Sequence, residues 1–133
     1  MTTLATKLRI ASWDEAPTQD LDDGGRVTRA TVALADGVDG LDAGTFESVM
    51  YYRPDGTSNY VTVMHLTGTL DGRSGSFVLT GEGTYDGTTA SGTCEIVPGS
   101  GTKDLAGITG TCTSASTHAD YPYMPLSLTY DLT

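Results

Sequence analysis

Between residues 67 and 110 the chain runs through β-prone segments separated only by glycine-containing turns: TGTLDGRSGSFVLTGEGTYDGTTASGTCEIVPGSGTKDLAGITG. Asp-Gly occurs there twice, at Asp71-Gly72 and Asp86-Gly87. Asp-Gly between alternating segments is the strongest short-range hairpin signal, because both residues accept the positive φ that a two-residue turn demands. The segment therefore reads as an antiparallel meander. Period-2 alternation recurs along the rest of the chain, and no stretch sustains an apolar period of 3.6 over three helical turns, so the expected class is all-β. The 17 glycines are assigned to turns and bulges rather than to tethers, since each Gly-rich piece lies between two strand-like runs.

A chain of 133 residues is the size of one domain, 1–133, able to bury roughly 65–70% of its unfolded surface in a single core. Seven Lys and Arg against 17 Asp and Glu give a net charge of −10, which repels a phosphate backbone and an anionic bilayer surface alike. Nucleic acid and membrane are therefore not expected as partners. The N-terminal MTTLATKLRIASWDE has no apolar core of signal-peptide length, and no run approaches 18 apolar residues, so the expected location is cytoplasmic. Two cysteines, Cys94 and Cys112, are too few for a secreted disulfide scaffold.

Eight strands are predicted: residues 4–13, 26–36, 42–53, 57–70, 73–84, 89–97, 105–117 and 126–132. Residues 14–25, DEAPTQDLDDGG, are expected to form a solvated acidic loop, and Pro54-Asp55-Gly56 a tight turn. In strand three, Thr45, Glu47, Val49 and Tyr51 share one face and Phe46, Ser48, Met50 and Tyr52 the other; in strand eight, Leu126, Leu128, Tyr130 and Leu132 share a face. Eight short-looped antiparallel strands make either a sandwich or a barrel. Sequential hairpins favour an up-and-down, lipocalin-like barrel, which removes both edges and at this strand number is just wide enough for one small ligand.

SWDE at 12–15, TRA at 28–30, RPDGT at 53–57, TGTLDGRSGSFVLTGEGTYDG at 67–87 and ASGTCEIVPGSGT at 90–102 follow one another in this order. In this the chain resembles a bacterial family of uncharacterised small domains with an allene-oxide-cyclase-like β-barrel. The resemblance covers nearly the whole chain. It implies a closed eight-stranded barrel, association as a homodimer or higher oligomer, and kinship with plant allene oxide cyclases and with bacterial barrels that close rings on polyketide intermediates. Two positions depart from the family pattern. Residue 94, commonly Trp after ASGT, is Cys94, and residue 64, more often Glu, is Met64. If both point inward, the lumen is larger and more apolar than in the relatives.

No HExxH, CxxC, GxSxG elbow or phosphate-cradling loop occurs, and His65 and His118 lie far apart, so neither metal nor cofactor is expected. Glu47, Tyr51 and Arg29 form the candidate catalytic set. Strand parity and adjacency allow them to line one lumen wall, where desolvation raises and a guanidinium lowers a carboxylate's pKa, as a general base requires. The alternative is an outward surface pair or a structural ion pair. Trp13, Tyr52, Tyr60, Met64, Phe77, Cys94 and Tyr123 are the candidate ligand-binding residues, with YPYMP at 121–125 either a lid over the mouth or a strand-edge irregularity. Cys94 and Cys112 are expected nearly opposite each other on strands six and seven, as two free buried thiols or as a cross-strand disulfide.

The expected function is a cofactor-independent isomerase or cyclase acting on a hydrophobic small molecule, working by confinement in an apolar lumen. The alternatives are a non-catalytic lipocalin-like binder, or a structural oligomer whose lumen is filled by side chains.

Overall fold

The computed structural model describes residues 2–117 and 119–132. Eight strands follow one another: β1 Thr2–Asp20, β2 Arg26–Ala35, β3 Leu41–Tyr52, β4 Ser58–Leu70, β5 Arg73–Tyr85, β6 Thr89–Ile96, β7 Thr109–Thr117 and β8 Tyr123–Asp131. Each pairs antiparallel with its sequence neighbours, and β1 also pairs with β8, closing the sheet into a ring-like barrel. The all-β expectation holds, as do the hairpins. Leu70 pairs with Arg73 across a turn in which Asp71 and Gly72 both take positive φ, 51° and 77°. At the second Asp-Gly turn, Asp86 Oδ1 accepts the backbone N–H groups of Thr88 at 2.9 Å and Thr89 at 2.8 Å.

The ring is uneven. The pairing of β1 with β8 runs from Thr2 to Arg9, that with β2 from Arg9 to Asp20, so the second half of β1 is held along one edge. The acidic segment expected as a loop is thus largely strand. Only residues 21–25 turn, with Leu21 N–H donating to Gly25 O at 2.8 Å. Pro17 tolerates this because the strand is free on one side there and its pairing shifts between Pro17 and Gln19, the setting in which a residue without N–H is accommodated. The seventh strand also begins later than expected. Residues 98–108 leave the sheet, Lys103–Leu105 form a turn of 3-10 helix, and Leu105 and Ile108 are wholly buried. YPYMP is no lid: Tyr123, Met124 and Pro125 open β8, and Tyr121 is exposed in the preceding turn.

Inward positions at one end of the ring carry large apolar groups. Leu8, Leu41, Leu66, Phe77, Leu79 and Leu128 are fully buried there. Tyr130 Oη, also at this end, donates to Asp71 Oδ2 at 3.1 Å and fastens β8 to the β4–β5 turn.

Candidate functional site

At the opposite end, formed by the C-terminal halves of β1, β3, β5 and β7 and the N-terminal halves of β2, β4, β6 and β8, the lumen is open. It holds a cavity of about 400 Å³ whose lining includes Phe46, Met50, Met64, Tyr60, Met124 and Leu126. Every described Met and both Cys side chains border this one space. The polar groups are hydroxyls. Ser48 and Thr62 bond one another at 2.7 Å, while Ser58, Ser114 and Ser116 contribute to the wall. Glu82 borders the cavity from between inward-facing Gly81 and Gly83, so by strand alternation its side chain points outward.

Of the residues singled out from the sequence, Trp13, Tyr52, Tyr60, Met64 and Cys94 line the cavity. Phe77 does not: it is wholly buried in the packed end. Tyr123 does not either, since β8 turns Met124 inward and leaves Tyr123 outside beneath Lys7, whose Nζ lies 4.6 Å from its ring centroid. The expected lumenal placement of Glu47, Tyr51 and Arg29 is corrected. Arg29 Nη2 donates to Glu47 Oε1 at 2.6 Å on the outer face, with side chains 58% and 51% exposed. That hydrogen bond, reinforced by the guanidinium charge, holds the Glu47 carboxyl below its usual range. Tyr51 follows the same outward parity, with Arg53 5.6 Å from its ring centroid. The face turned inward is the more apolar one, Phe46, Ser48, Met50 and Tyr52.

The lumen does have a carboxylate at its rim, Glu15. It accepts the Trp13 indole N–H at 3.0 Å and the Thr28 hydroxyl at 2.8 Å. Trp13 in turn meets Phe46 edge-on at 6.0 Å. Burial first, and then the Glu15 carboxylate, push the Tyr52 hydroxyl's pKa up. The sequence pattern puts Glu15 in the acidic loop, but β1 continues through it to Asp20, and its pairing slips between Ile10 and Ser12. Leu4, Thr6, Leu8 and Ile10 face in by even numbering, and beyond the slip the inward set becomes odd, Trp13 and Glu15. Nothing in alternation alone announces such a bulge.

Cys94 and Cys112 stand directly opposite each other on β6 and β7 as free thiols. Burial raises both, Cys112 to about 12, so neither is poised as a nucleophile. Among the described residues no group of three or more His, Cys, Asp or Glu is arranged to hold a metal ion. His65 is exposed and His118 lies outside the described residues. No helix among the described residues is long and apolar enough to cross a membrane, which says nothing of a β-barrel.

Residues 5–130 match the family described as Protein of unknown function (DUF3224). The chain belongs to this family. A crystal structure of a DUF3224 protein with unknown function, from Shewanella oneidensis MR-1 at 1.84 Å resolution, superposes with a TM-score of 0.75. The two chains are 22% identical over 100% of this chain and 98% of the other, a likeness that speaks for the shared fold alone. No curated protein matches the chain.

Proposed function

We propose that this DUF3224 protein binds an uncharged, largely apolar small molecule in the open end of its barrel, as lipocalin-like barrels do. The observation that carries the reading is the cavity of about 400 Å³, which falls within the ~300–1,000 Å³ of small-molecule sites. Its wall is hydrocarbon, thioether, thiol and hydroxyl, with the Glu15 carboxylate only at the rim. An ionised ligand lodged below that rim would lose its hydration without gaining a charged partner, whereas an apolar one gains by leaving water. Methionine linings adapt their shape at little cost, which suits a site that accepts related ligands. Cys94 and Met64, where the resemblance leads one to expect Trp and Glu, both border the cavity; the first leaves more space than an indole would and the second replaces a charge by a thioether.

A second reading is a cofactor-independent isomerase or cyclase of the allene-oxide-cyclase-like type. It is favoured by Glu15, a carboxylate at the mouth within the electrostatic reach of the Tyr52 phenol. Confinement supplies the larger part of such catalysis, and a rim carboxylate would move a proton.

The test is to purify the protein under native conditions and record its mass without denaturation. A bound neutral molecule, or uptake of one from a panel of apolar compounds at one per chain, is the expected result. Absence of both overturns the binding reading. Chemical conversion of the bound molecule that is lost in Glu15→Gln while binding persists selects the enzyme.

A further inference from the structure

Tyr60 does not stand across the lumen. It pairs in register with Gly83, Gly83 pairs with Gly92, and Gly92 with Ser114, so two glycines lie side by side on the inner wall next to the phenol. A methyl placed on Gly83 would come within 2.5 Å of both Tyr60 Cζ and Oη, and one on Gly92 within 3.3 Å of Oη. The ring therefore lies along the sheet in the trough the glycines leave. One face covers bare backbone and the other faces the cavity. No protein group bonds the Tyr60 hydroxyl among the described residues, nor that of Ser114 one strand further on. Burial raises the phenol's pKa, so at neutral pH it keeps its proton and offers both a donor and an acceptor. The rest of the wall is soft: Met50, Met64 and Met124 present polarisable sulfur, which favours aromatic partners.

We propose that the cavity selects planar, conjugated, uncharged molecules carrying an oxygen at one edge, stacked on Tyr60 with that oxygen bonded by the Tyr60 and Ser114 hydroxyls. The assignment rests on the binding reading above and adds the ligand class. Half-buried hydroxyls without partners are the groups that discriminate most sharply, because a ligand that leaves them unpaired forfeits their hydration. A recessed ring gives a flat platform that a flexible alkyl chain uses poorly, since it loses its own conformational freedom in lying along it.

Isothermal titration of the intact protein with flavone, phenanthrene and 1-dodecanol tests this. Flavone is planar with an edge carbonyl, phenanthrene is planar without oxygen, and dodecanol has oxygen without planarity. Flavone is expected to bind most tightly. Tyr60→Phe should weaken flavone about tenfold, the scale of one lost hydrogen bond, and leave phenanthrene unchanged. Tyr60→Leu, which removes the platform, should weaken both. Dodecanol binding as tightly as flavone, or flavone indifferent to Tyr60→Phe, overturns the assignment while leaving the binding reading intact. Binding of none of the three overturns both.

Discussion

The two ends of this barrel are made from the same eight strands, yet one is a core and the other a site. At the closed end the inward positions hold Leu8, Leu66, Phe77, Leu79 and Leu128, all without exposure, and residues 98–108 fold in to add Leu105 and Ile108. At the open end the same strands place Ser48, Ser58, Gly83, Gly92 and Ser114 inward. An eight-stranded ring is just wide enough for side chains to fill, so residue size at inward positions decides between packing and vacancy. Stability should then reside at one end and ligand affinity at the other. The largest effect that follows is on folding. Leu79→Ala at the closed end should cost roughly 2–5 kcal/mol, from lost burial plus the hole left behind, against a total of about 5–15 kcal/mol for a domain. Urea unfolding measures it; a loss as small as that of an exposed substitution would mean that the closed end is not the core.

The open end allows the converse experiment. Cys94 is half-buried on the cavity wall. Cys94→Trp should fill much of the space and weaken ligand uptake at least about thirtyfold, ~2 kcal/mol, while the protein still folds. Titration of wild type and variant with the same ligand reads the first effect and thermal melting the second. Retained affinity would move the site elsewhere; loss of folding would show that the open end tolerates no more packing than the closed one.

How much of this division was legible beforehand depends on parity. Turn chemistry disclosed the strand number, because Asp71-Gly72 needs only its own two residues to specify a hairpin. Strand eight disclosed its inner face through Leu126, Leu128 and Tyr130, all buried. Strand three offered two faces, and a carboxylate, a phenol and a nearby guanidinium drew attention to the outer one. Phe46, Met50 and Tyr52 carried the better signal, since in a ring the more apolar face turns inward. Glu15 was hidden first because the acidic, Pro-containing DEAPTQDLDDGG reads as a loop although β1 runs through it to Asp20. It was hidden again because the slip after Ile10 exchanges the two faces of β1, so counting a longer strand would also have missed it. Tyr60's recess was hidden too, as it depends on glycines of two neighbouring strands, Gly83 on β5 and Gly92 on β6, meeting one side chain of a third.

A smaller effect should appear in alkali. Cys112 is held protonated to about 12 by burial, whereas in the unfolded chain it ionises near the ordinary ~8.5. Between those values the unfolded state releases its proton first, so stability conferred by the buried thiol is present below about pH 8.5 and declines as pH rises toward 12. The slope contributed is at most about 1.4 kcal/mol per pH unit. Cys112→Ala should flatten the fall in urea midpoint between pH 9 and 11 without abolishing it, because burial also raises Tyr60 and Tyr130. An unchanged pH dependence in the variant would show that Cys112 ionises freely in the fold.

The smallest effect tests the division from outside the ring. Glu47 and Arg29 pair at 2.6 Å with both side chains more than half exposed, and Tyr51 shares their outward face. Exposed pairs gain little, because water screens the attraction and two long side chains lose freedom in making it. The Glu47 carboxyl is held below its usual range by Arg29, so whatever the pair contributes is present above about pH 4.5 and disappears as pH falls through the lowered value. Glu47→Gln and Tyr51→Phe should accordingly leave ligand affinity unchanged and shift the melting temperature at pH 7 only slightly, with the Glu47→Gln difference vanishing in acid. Tyr60→Phe, measured on the same ligand, is the internal contrast, since it changes one oxygen inside the ring where Tyr51→Phe changes one outside. If Tyr51→Phe or Glu47→Gln weakened binding as much as Tyr60→Phe, the outer face of β3 would belong to the site after all, and the separation of a binding interior from an inert exterior would fail.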